Sequence, residues 1–302
     1  MKPLVDGDVI LYEIGFAAEA GWQGEQPPPF DYVADLLNMR IGNMCAIIPA
    51  SRQPVFYFTG KTNFRTEIAK KREYKDRDSN KPFHYYNLKA YIKGNWEWHE
   101  QEGLEADDLM AIEQTRARAS LLVEQTGGPV PIETIICTRD KDLRQVPGWH
   151  YGWELGNQPQ FGPTLVDELG YLALEKKTNA KGITTNKLRG TGALFFYGQC
   201  LVGDSVDTVP GLMGCGPVKA FKLLSECSTI DEAFKTVLEA YRAFYGDDAE
   251  EQLLEQGRLL WMTRQLNEDN TPVLWDLPNV SSTDVATEPL LQGAKIAHSE
   301  NP

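Results

Sequence analysis

The stretch PLVDGDVILYEI at residues 3–14 decides the fold. Its first half is a short apolar run that ends at Asp6, and from Val9 onward apolar residues recur with helical spacing. A buried strand that leads directly into a helix opens a β-α-β unit. We therefore predict an α/β fold in which Asp6 stands at the carboxyl end of the first strand.

The same alternation continues through the first half of the chain. A proline-rich break at 26–30 precedes a predicted helix over 31–48, and PVFYFTG at 54–60 predicts a second buried strand. A further helix is predicted over 106–124 and a further strand over 132–138. Repeated units of this kind favour a mostly parallel central sheet with helices on both faces.

The second half has a different pattern, because strand signals fade after about Thr164 and apolar helical patterns replace them. We predict an α/β core over 1–165, a helical region over 166–277 and a polar tail over 278–302. The helical patterns lie at 192–203, 217–225, 231–244 and 249–265.

Composition narrows the class of protein. With 302 residues, 42% of them hydrophobic, the chain is expected to be globular. It has no apolar run of about 18 residues and no signal-peptide pattern, so we expect neither a membrane span nor secretion. Its five cysteines include no Cys-x-x-Cys pair, which favours reduced thiols and a cytoplasmic location. The four scattered histidines leave oxygen atoms as the expected ligands of any metal.

Charge is unevenly distributed along the chain. A net charge of -13 argues against a protein that coats nucleic acid. Between Lys61 and Lys81, however, eight Lys and Arg residues face only four Asp and Glu residues. Helical spacing with few apolar residues predicts an exposed, basic helical insertion at about 61–92. This asymmetry suits a polyanion that is contacted at one place.

Four acidic motifs fall at the ends of predicted elements. Each has an ordinary alternative as a turn, a helix cap or a solvated loop. Several nevertheless stand at or just beyond the carboxyl ends of strands, where open α/β sheets place their ligand crevice. The motifs are Asp6 with Asp8; Glu105, Asp107 and Asp108; Asp140 with Asp142; and Asp204 with Asp207.

Carboxylates gathered in one crevice require neutralisation. Two of them about 4 Å apart repel by roughly 4 kcal/mol at an effective dielectric constant of 20. Mg²⁺ or Mn²⁺ suits such oxygen ligands, and two ions about 3.5 to 4 Å apart can stabilise both the attacking and the leaving oxygen at a phosphate. The implied substrate is a phosphoester.

A glycine-rich turn follows the last acidic motif. Gly211, Gly214 and Gly216 precede Pro217 at a plausible first helical position, with Lys219 shortly after it. Glycines permit close backbone approach, and amides at a helix start point at phosphate oxygens. The pattern predicts a phosphate cradle, with an ordinary turn before a helix as the alternative.

In combination, the order DGD, FR, YK with a nearby Arg, LEADD, DKD, GDSVD and the glycine turn resembles the 5′-nuclease family over about residues 2–225. The likeness is greatest to bacteriophage 5′→3′ exonucleases and flap endonucleases. It implies a PIN-like α/β core with a helical arch and a helix-three-turn-helix at about 200–225. It also implies DNA with 5′ ends or flaps as substrate, replication proteins as partners and a monomer.

The resemblance also implies roles for individual residues. The first metal position is expected at Asp6, Glu105, Asp107 and Asp108, and the second at Asp140, Asp142, Asp204 and Asp207. Lys75 and Arg77 are expected at the scissile phosphate, supported by Arg65, while Lys70 and Lys71 steer the 5′ strand. Gly211, Gly214, Gly216 and Lys219 are expected to bind duplex DNA, with K⁺ at that turn.

The chain departs from the family at two positions. The family has an Asp after the second strand, where this chain has Thr59 and Gly60, so the first metal position is expected to lack one ligand. A Lys that often precedes GD-x-x-D is replaced by Gln199.

Two rival functions remain open at this point. One is a haloacid-dehalogenase-type phosphatase with Asp6 as the nucleophile, because VDGDVI and GDSVD resemble its motifs. The other is a catalytically weakened DNA-binding protein of the same fold.

Overall fold

The computed structural model describes residues 1–70, 74, 80–123, 133–156, 158–178 and 182–278. The predicted DNA-contacting residues Lys71, Lys75 and Arg77 lie outside these ranges, as do residues 279–302 of the predicted tail. Along the described part of the chain, no helix is both long enough and apolar enough to cross a membrane.

A six-stranded sheet forms the centre of the first half. Its strands are β1 (Lys2–Asp6), β2 (Val55–Asn63), β3 (Glu97–Gly103), β4 (Thr134–Cys137), β5 (Gly148–Gly152) and β6 (Phe161–Val166). Across the sheet their order is β3-β2-β1-β4-β5-β6, and β6 pairs antiparallel with β5 whereas the other neighbours are parallel. The predicted, mostly parallel sheet is confirmed.

Helices cover both faces of this sheet, as predicted. Successive residues of a strand point to opposite faces, so Phe56 and Phe58 of β2 join one apolar core while Val55 and Tyr57 join another. The five helices of this half are α1 (Gly7–Gly21), α2 (Phe30–Ile47), α3 (Arg65–Ile68), α4 (Tyr85–Asn95) and α5 (Ala106–Val123). The first core includes residues of α1, α2 and α4, and the second includes residues of α5.

The order of the strands creates a crevice between β1 and β4. From β1 the chain adds β2 and β3 on one side, and it then crosses over to add β4 and β5 on the other side. The carboxyl ends of β1 and β4 therefore lie beside each other at the point where the strand order reverses, which is where open α/β sheets bind ligands. Asp6 ends β1, and the DKD motif follows β4.

The expectation that strands cease after Thr164 is wrong. Strands β7 (Tyr171–Thr178) and β8 (Thr184–Thr191) form a separate antiparallel hairpin. Their outer halves are exposed, so the residues there are polar and lack the apolar alternation of a half-buried strand. Edge strand β3 was likewise not predicted, because most of its side chains are exposed or half-buried polar groups.

The four helices predicted for the second half are all present. They pack around one apolar core that also takes in Tyr74 and Trp275. The last of them is shorter than predicted and ends at Leu260. They are α6 (Gly192–Val202), α7 (Pro217–Leu224), α8 (Ile230–Tyr245) and α9 (Ala249–Leu260). The division of the chain into domains stays a prediction.

Candidate functional site

A cavity of about 730 Å³ opens at the crevice between β1 and β4. One side of it is apolar and includes Tyr12, Phe16 and Leu155. The other side is acidic, and carboxylates from three of the four predicted motifs contribute to it. The carboxylate residues that line the cavity are Asp6, Asp8, Glu13, Glu105, Asp107 and Asp140.

Asp6 ties the end of β1 to its surroundings. Its Oδ1 accepts the Val9 amide at 3.0 Å and so caps α1, while its Oδ2 accepts the Thr138 hydroxyl at 2.7 Å. The Thr138 hydroxyl in turn accepts the Asp140 amide at 2.9 Å, which fixes the loop after β4. Burial, reinforced by the charge of Asp8, raises the pKa of Asp6 to about 7.

The neighbours Asp107 and Asp108 have different environments. Asp107 lines the cavity, whereas Asp108 is fully buried. The Arg65 guanidinium pairs with both oxygens of Asp108, at 2.6 and 2.8 Å, and also donates to Glu105 at 2.9 Å. The remaining N–H groups of Arg65 donate to two backbone carbonyl groups. They are that of Leu259, the last but one residue of α9, at 3.1 Å, and that of Trp261, which follows α9, at 2.7 Å.

These contacts correct one prediction and bear on another. Arg65 is fully buried and its donors are occupied, so it does not present a DNA-contacting surface. Asp108 also accepts the Thr263 amide at 3.0 Å and the Glu105 amide at 3.3 Å, so its carboxylate is held in the interior, and its role as a metal ligand stays a prediction. The pair joins α5 to the chain after α9.

A second acidic group lies beside the first. The Lys141 ammonium lies between Asp142 and Asp204, at 2.7 and 2.5 Å from their carboxylate oxygens. Gln199 donates to the same oxygen of Asp142 at 2.6 Å. Burial and the nearby Asp140 raise the pKa of Asp142 to about 6. Burial alone would also raise the pKa of Asp204, but the Lys141 ammonium holds it below its usual value.

Two contacts connect the acidic groups. The Asp142 amide donates to Asp140 at 2.8 Å. The buried Tyr74 hydroxyl lies 3.2 Å from Glu105 and 3.4 Å from Asp207. All eight predicted metal-binding carboxylates therefore lie in one region, and Asp108 joins it through Arg65 and the Glu105 amide. Asp140, predicted at the second position, lies with the first group.

Sequence reasoning did not find roles for Thr138, Lys141 or Tyr74. Thr138 immediately follows β4 and lies two residues before the DKD motif, and Lys141 is the middle residue of that motif. A Lys between two Asp residues is equally typical of a solvated charged loop, so the sequence does not indicate its contacts. Only the tertiary fold brings Asp204 close enough to hold it, because 63 positions separate the two residues.

The glycine-rich turn has the conformation that its sequence requires. Gly211 and Gly214 have φ values of 67° and 74°, in the left-handed region that favours glycine. Gly216 immediately precedes α7, and added Cβ atoms at Gly214 and Gly216 would meet no other atom within 4 Å. The surface beside these two glycines is therefore open to another molecule.

The carboxylate side chains of the two acidic groups have oxygen atoms that suit a divalent metal ion, although their arrangement in this structure is not that of a metal site. Within the described ranges, no three Asp, Glu, His or Cys side chains are placed to hold an ion as they stand. Contacts with Lys141, Arg65 and Tyr74 hold several of the carboxylates. Next to Asp142, however, the buried Oε1 of Gln199 has no hydrogen-bond partner. An unpaired oxygen beside hard carboxylate ligands suits a cation or its bound water.

Sequence comparison finds similarity to bacterial polymerases. No protein-family model matches the chain. It is 33% identical over 143 residues to DNA polymerase I of Rhizobium leguminosarum, an alignment that covers 46% of the chain and 11% of that protein. It is 26% identical over 269 residues to DNA polymerase I of Chloroflexus aurantiacus, which covers 87% of the chain and 26% of that protein. The chain thus spans about a quarter or less of these relatives.

Comparison of structures finds nucleases. The flap endonuclease of bacteriophage T5, in a complex with DNA and metal ions, is 13% identical with a TM-score of 0.46, over 85% of this chain and 98% of that one. The catalytic core of Rad2 with DNA is 14% identical with a TM-score of 0.43, over 92% and 83%. Nucleases of the predicted kind are thus among the proteins to which the chain is similar.

The raised pKa of Asp6 predicts a pH-dependent stability. A carboxyl group with a folded-state pKa near 7, above its ordinary value of 3.8, contributes stability that is fully present below pH 4 and lost as the pH rises through 7. Without metal, wild type should lose on the order of a few kcal/mol of unfolding free energy relative to Asp6→Asn between pH 4 and 7.5.

Urea titrations of both proteins, in chelator and at several pH values, measure this difference. Parallel pH profiles would show that Asp6 has an ordinary pKa. Adding Mn²⁺ at pH 7.5 should restore stability to wild type more than to Asp6→Asn.

Proposed function

We propose that this chain is a divalent-metal-dependent 5′-nuclease, which hydrolyses DNA phosphodiesters near 5′ ends as a 5′→3′ exonuclease and flap endonuclease. The observation that carries the proposal is the acidic cavity at the crevice between β1 and β4, connected to the second acidic group around Lys141. Such a concentration of carboxylates suits cations and a phosphate substrate.

The residues divide the work between two groups. Asp6, Glu105, Asp107 and Asp140 would hold one Mg²⁺ or Mn²⁺ ion, and Asp142, Asp204 and Asp207 a second. Bound there, the ions would supply an activated water and neutralise charge on the phosphate. Lys75 and Arg77 are proposed to contact the scissile phosphate, and Lys70 and Lys71 to steer the 5′ strand.

Duplex DNA is proposed to bind at the turn before α7. Its open glycines let a phosphate backbone approach, and Lys219 in the first turn of the helix adds positive charge. A K⁺ ion at the backbone carbonyls of this turn belongs to the same proposal.

The phosphatase alternative has less support from the geometry. It leaves Glu105, Asp107, Asp140 and the second acidic group around Lys141 without a role. The weakened DNA-binding alternative differs from the proposal only in its lack of cleavage, so the same assay decides between them.

The deciding experiment uses 5′-labelled blunt, nicked and flapped duplexes with Mg²⁺, Mn²⁺ or chelator. We expect cleavage in either metal and none in chelator, with product lengths that distinguish exonuclease from flap endonuclease action. Binding without cleavage in both metals would contradict the proposal and favour the weakened DNA-binding protein.

Gly216 offers a test of the duplex-binding turn that does not strain the backbone. With φ at −83° and ψ at 176°, the residue has an extended conformation that Val adopts readily. Gly216→Val should therefore fold normally but obstruct the approaching phosphate backbone. We expect duplex affinity to fall about tenfold or more, equivalent to at least about 1.4 kcal/mol.

Fluorescence anisotropy with a labelled duplex at fixed salt measures the dissociation constant. Gly42→Val is a control for the residue change, because an added Cβ at this exposed helical position also meets no atom. Equal dissociation constants for Gly216→Val and wild type would remove the turn from the DNA-binding surface.

A further inference from the structure

Asp8 and Thr59 lie opposite each other at the edge of the acidic cavity, and both line it. Asp8 follows β1 as the second residue of α1, whereas Thr59 belongs to β2. The Thr59 amide donates to Oδ2 of Asp8 at 2.9 Å. The Asp8 carboxylate is therefore held beside the strand position at which the resemblance expects an Asp and the chain has none.

Gly7 makes this reach possible. An added Cβ at Gly7 would lie 2.4 Å from the Phe58 ring and 2.7 Å from the Tyr57 carbonyl oxygen. Only glycine lets the start of α1 approach β2 this closely. The next residue, Asp8, can consequently extend its side chain to the end of that strand.

Neither residue at the expected position supplies a carboxylate itself. The Thr59 hydroxyl accepts the Ala106 amide at 3.1 Å and thereby caps α5. At Gly60, an added Cβ would lie 2.2 Å from the Gln101 carbonyl oxygen, so a side chain there would displace β3. This geometry confines a restored Asp to position 59.

We propose that Asp8 supplies the carboxylate that this chain lacks at Thr59 and Gly60, and that it is a ligand of the divalent ion in the first position. An ion responds to where the carboxylate oxygens lie and not to the strand from which they come. Among the described residues, Lys89 and Lys81 are cations that interact with Asp8, and Lys89 is already paired with Glu100 at 3.2 Å. The inference rests on the proposed function.

The test measures Mn²⁺ binding to the full chain without DNA, by electron paramagnetic resonance of the free ion. Asp8→Asn keeps the size of the side chain and an acceptor for the Thr59 amide, but it removes the charge. We expect its tighter Mn²⁺ site to weaken at least about tenfold. Asp31→Asn, at an exposed position in α2, is the matched control and should bind as wild type.

The double variant Asp8→Asn with Thr59→Asp restores the carboxylate from the other strand. It should regain most of the lost affinity, because Asp can also cap α5. Thr59→Asp alone should gain little, since its new charge would lie beside Asp8. If the double variant does not regain Mn²⁺ affinity, the proposal that a carboxylate at position 8 takes the place of one at position 59 is overturned.

Other outcomes separate this inference from the proposed function. Unchanged Mn²⁺ affinity in Asp8→Asn, together with weakened affinity in Asp6→Asn, would overturn the role of Asp8 and leave the function standing. No Mn²⁺ binding by wild type would overturn both. If Asp8→Asn and Asp8→Ser both unfold in chelator by circular dichroism, Asp8 holds β2 in place instead of an ion, and the proposal fails.

Discussion

Asp107→Asn is expected to reduce DNA cleavage by at least about a thousandfold, which corresponds to about 4 kcal/mol of transition-state stabilisation. The side chain lines the acidic cavity, so the substitution removes a proposed metal ligand without opening a void. It also removes a negative charge that repels the phosphate backbone. DNA affinity should therefore stay the same or increase while the chemical step is lost.

Single-turnover cleavage at saturating protein and a separate binding titration distinguish the two effects. Glu102→Gln is the control, because Glu102 is exposed and lies outside the cavity that Asp107 lines. Cleavage by Asp107→Asn within tenfold of the wild-type rate would remove Asp107 from the proposed metal ligands.

Asp108→Asn, one residue further on, should instead impair folding. It removes one of the two carboxylates that pair with the fully buried Arg65 guanidinium, so that Glu105 remains as the described charge partner and one oxygen acceptor is lost. Loss of one partner of a buried ion pair costs about 3–5 kcal/mol. We expect a decrease of this size in the free energy of unfolding.

Urea unfolding followed by circular dichroism measures the loss in Asp108→Asn and in Arg65→Met. The double variant should lose less than the sum of the two, because each single change already breaks the same pair. Additive losses, or a loss below about 1 kcal/mol in Asp108→Asn, would contradict the structural role of the pair.

The contrast between Asp107 and Asp108 marks a limit of sequence reasoning. Both stand in the first turn of α5, and a one-residue step along a helix rotates the side chain by about 100°. LEADD therefore predicts that some of its carboxylates face the crevice, but not which ones. The assignment needs the position of Arg65, which is 43 residues away in sequence.

Residues that act through local geometry were predicted more successfully. Asp6 ends an apolar run before a helix, so its place at the crevice follows from the strand order alone. Arg65 was predicted to support the DNA contacts because the resemblance implies that role. Its burial depends on two carbonyl groups near the end of α9, and no local pattern near Arg65 indicates them.

Strands that have a local apolar pattern were predicted, whereas strands stabilised mainly by pairing with a neighbour were not. Strands β1 and β4 and the first four residues of β2 are largely buried and mainly apolar, so these strands were found. Strand β3 lies at an edge of the sheet, and the β7–β8 hairpin pairs only with itself. Pairing stabilises their backbones, while their exposed side chains need not be apolar.

Lys141 gives the protein a counter-ion of its own. Because its ammonium neutralises Asp142 and Asp204, this acidic pair does not depend on a metal to remain close together. On the proposed function, a divalent ion at the second position would replace the Lys141 ammonium between Asp142 and Asp204. The divalent ion carries only one more positive charge than the ammonium. The Lys141 side chain is already one-third exposed, so it could rotate towards solvent. Because the ammonium is part of the Lys141 side chain, it would remain close enough to pair again with the two carboxylates after the metal ion leaves.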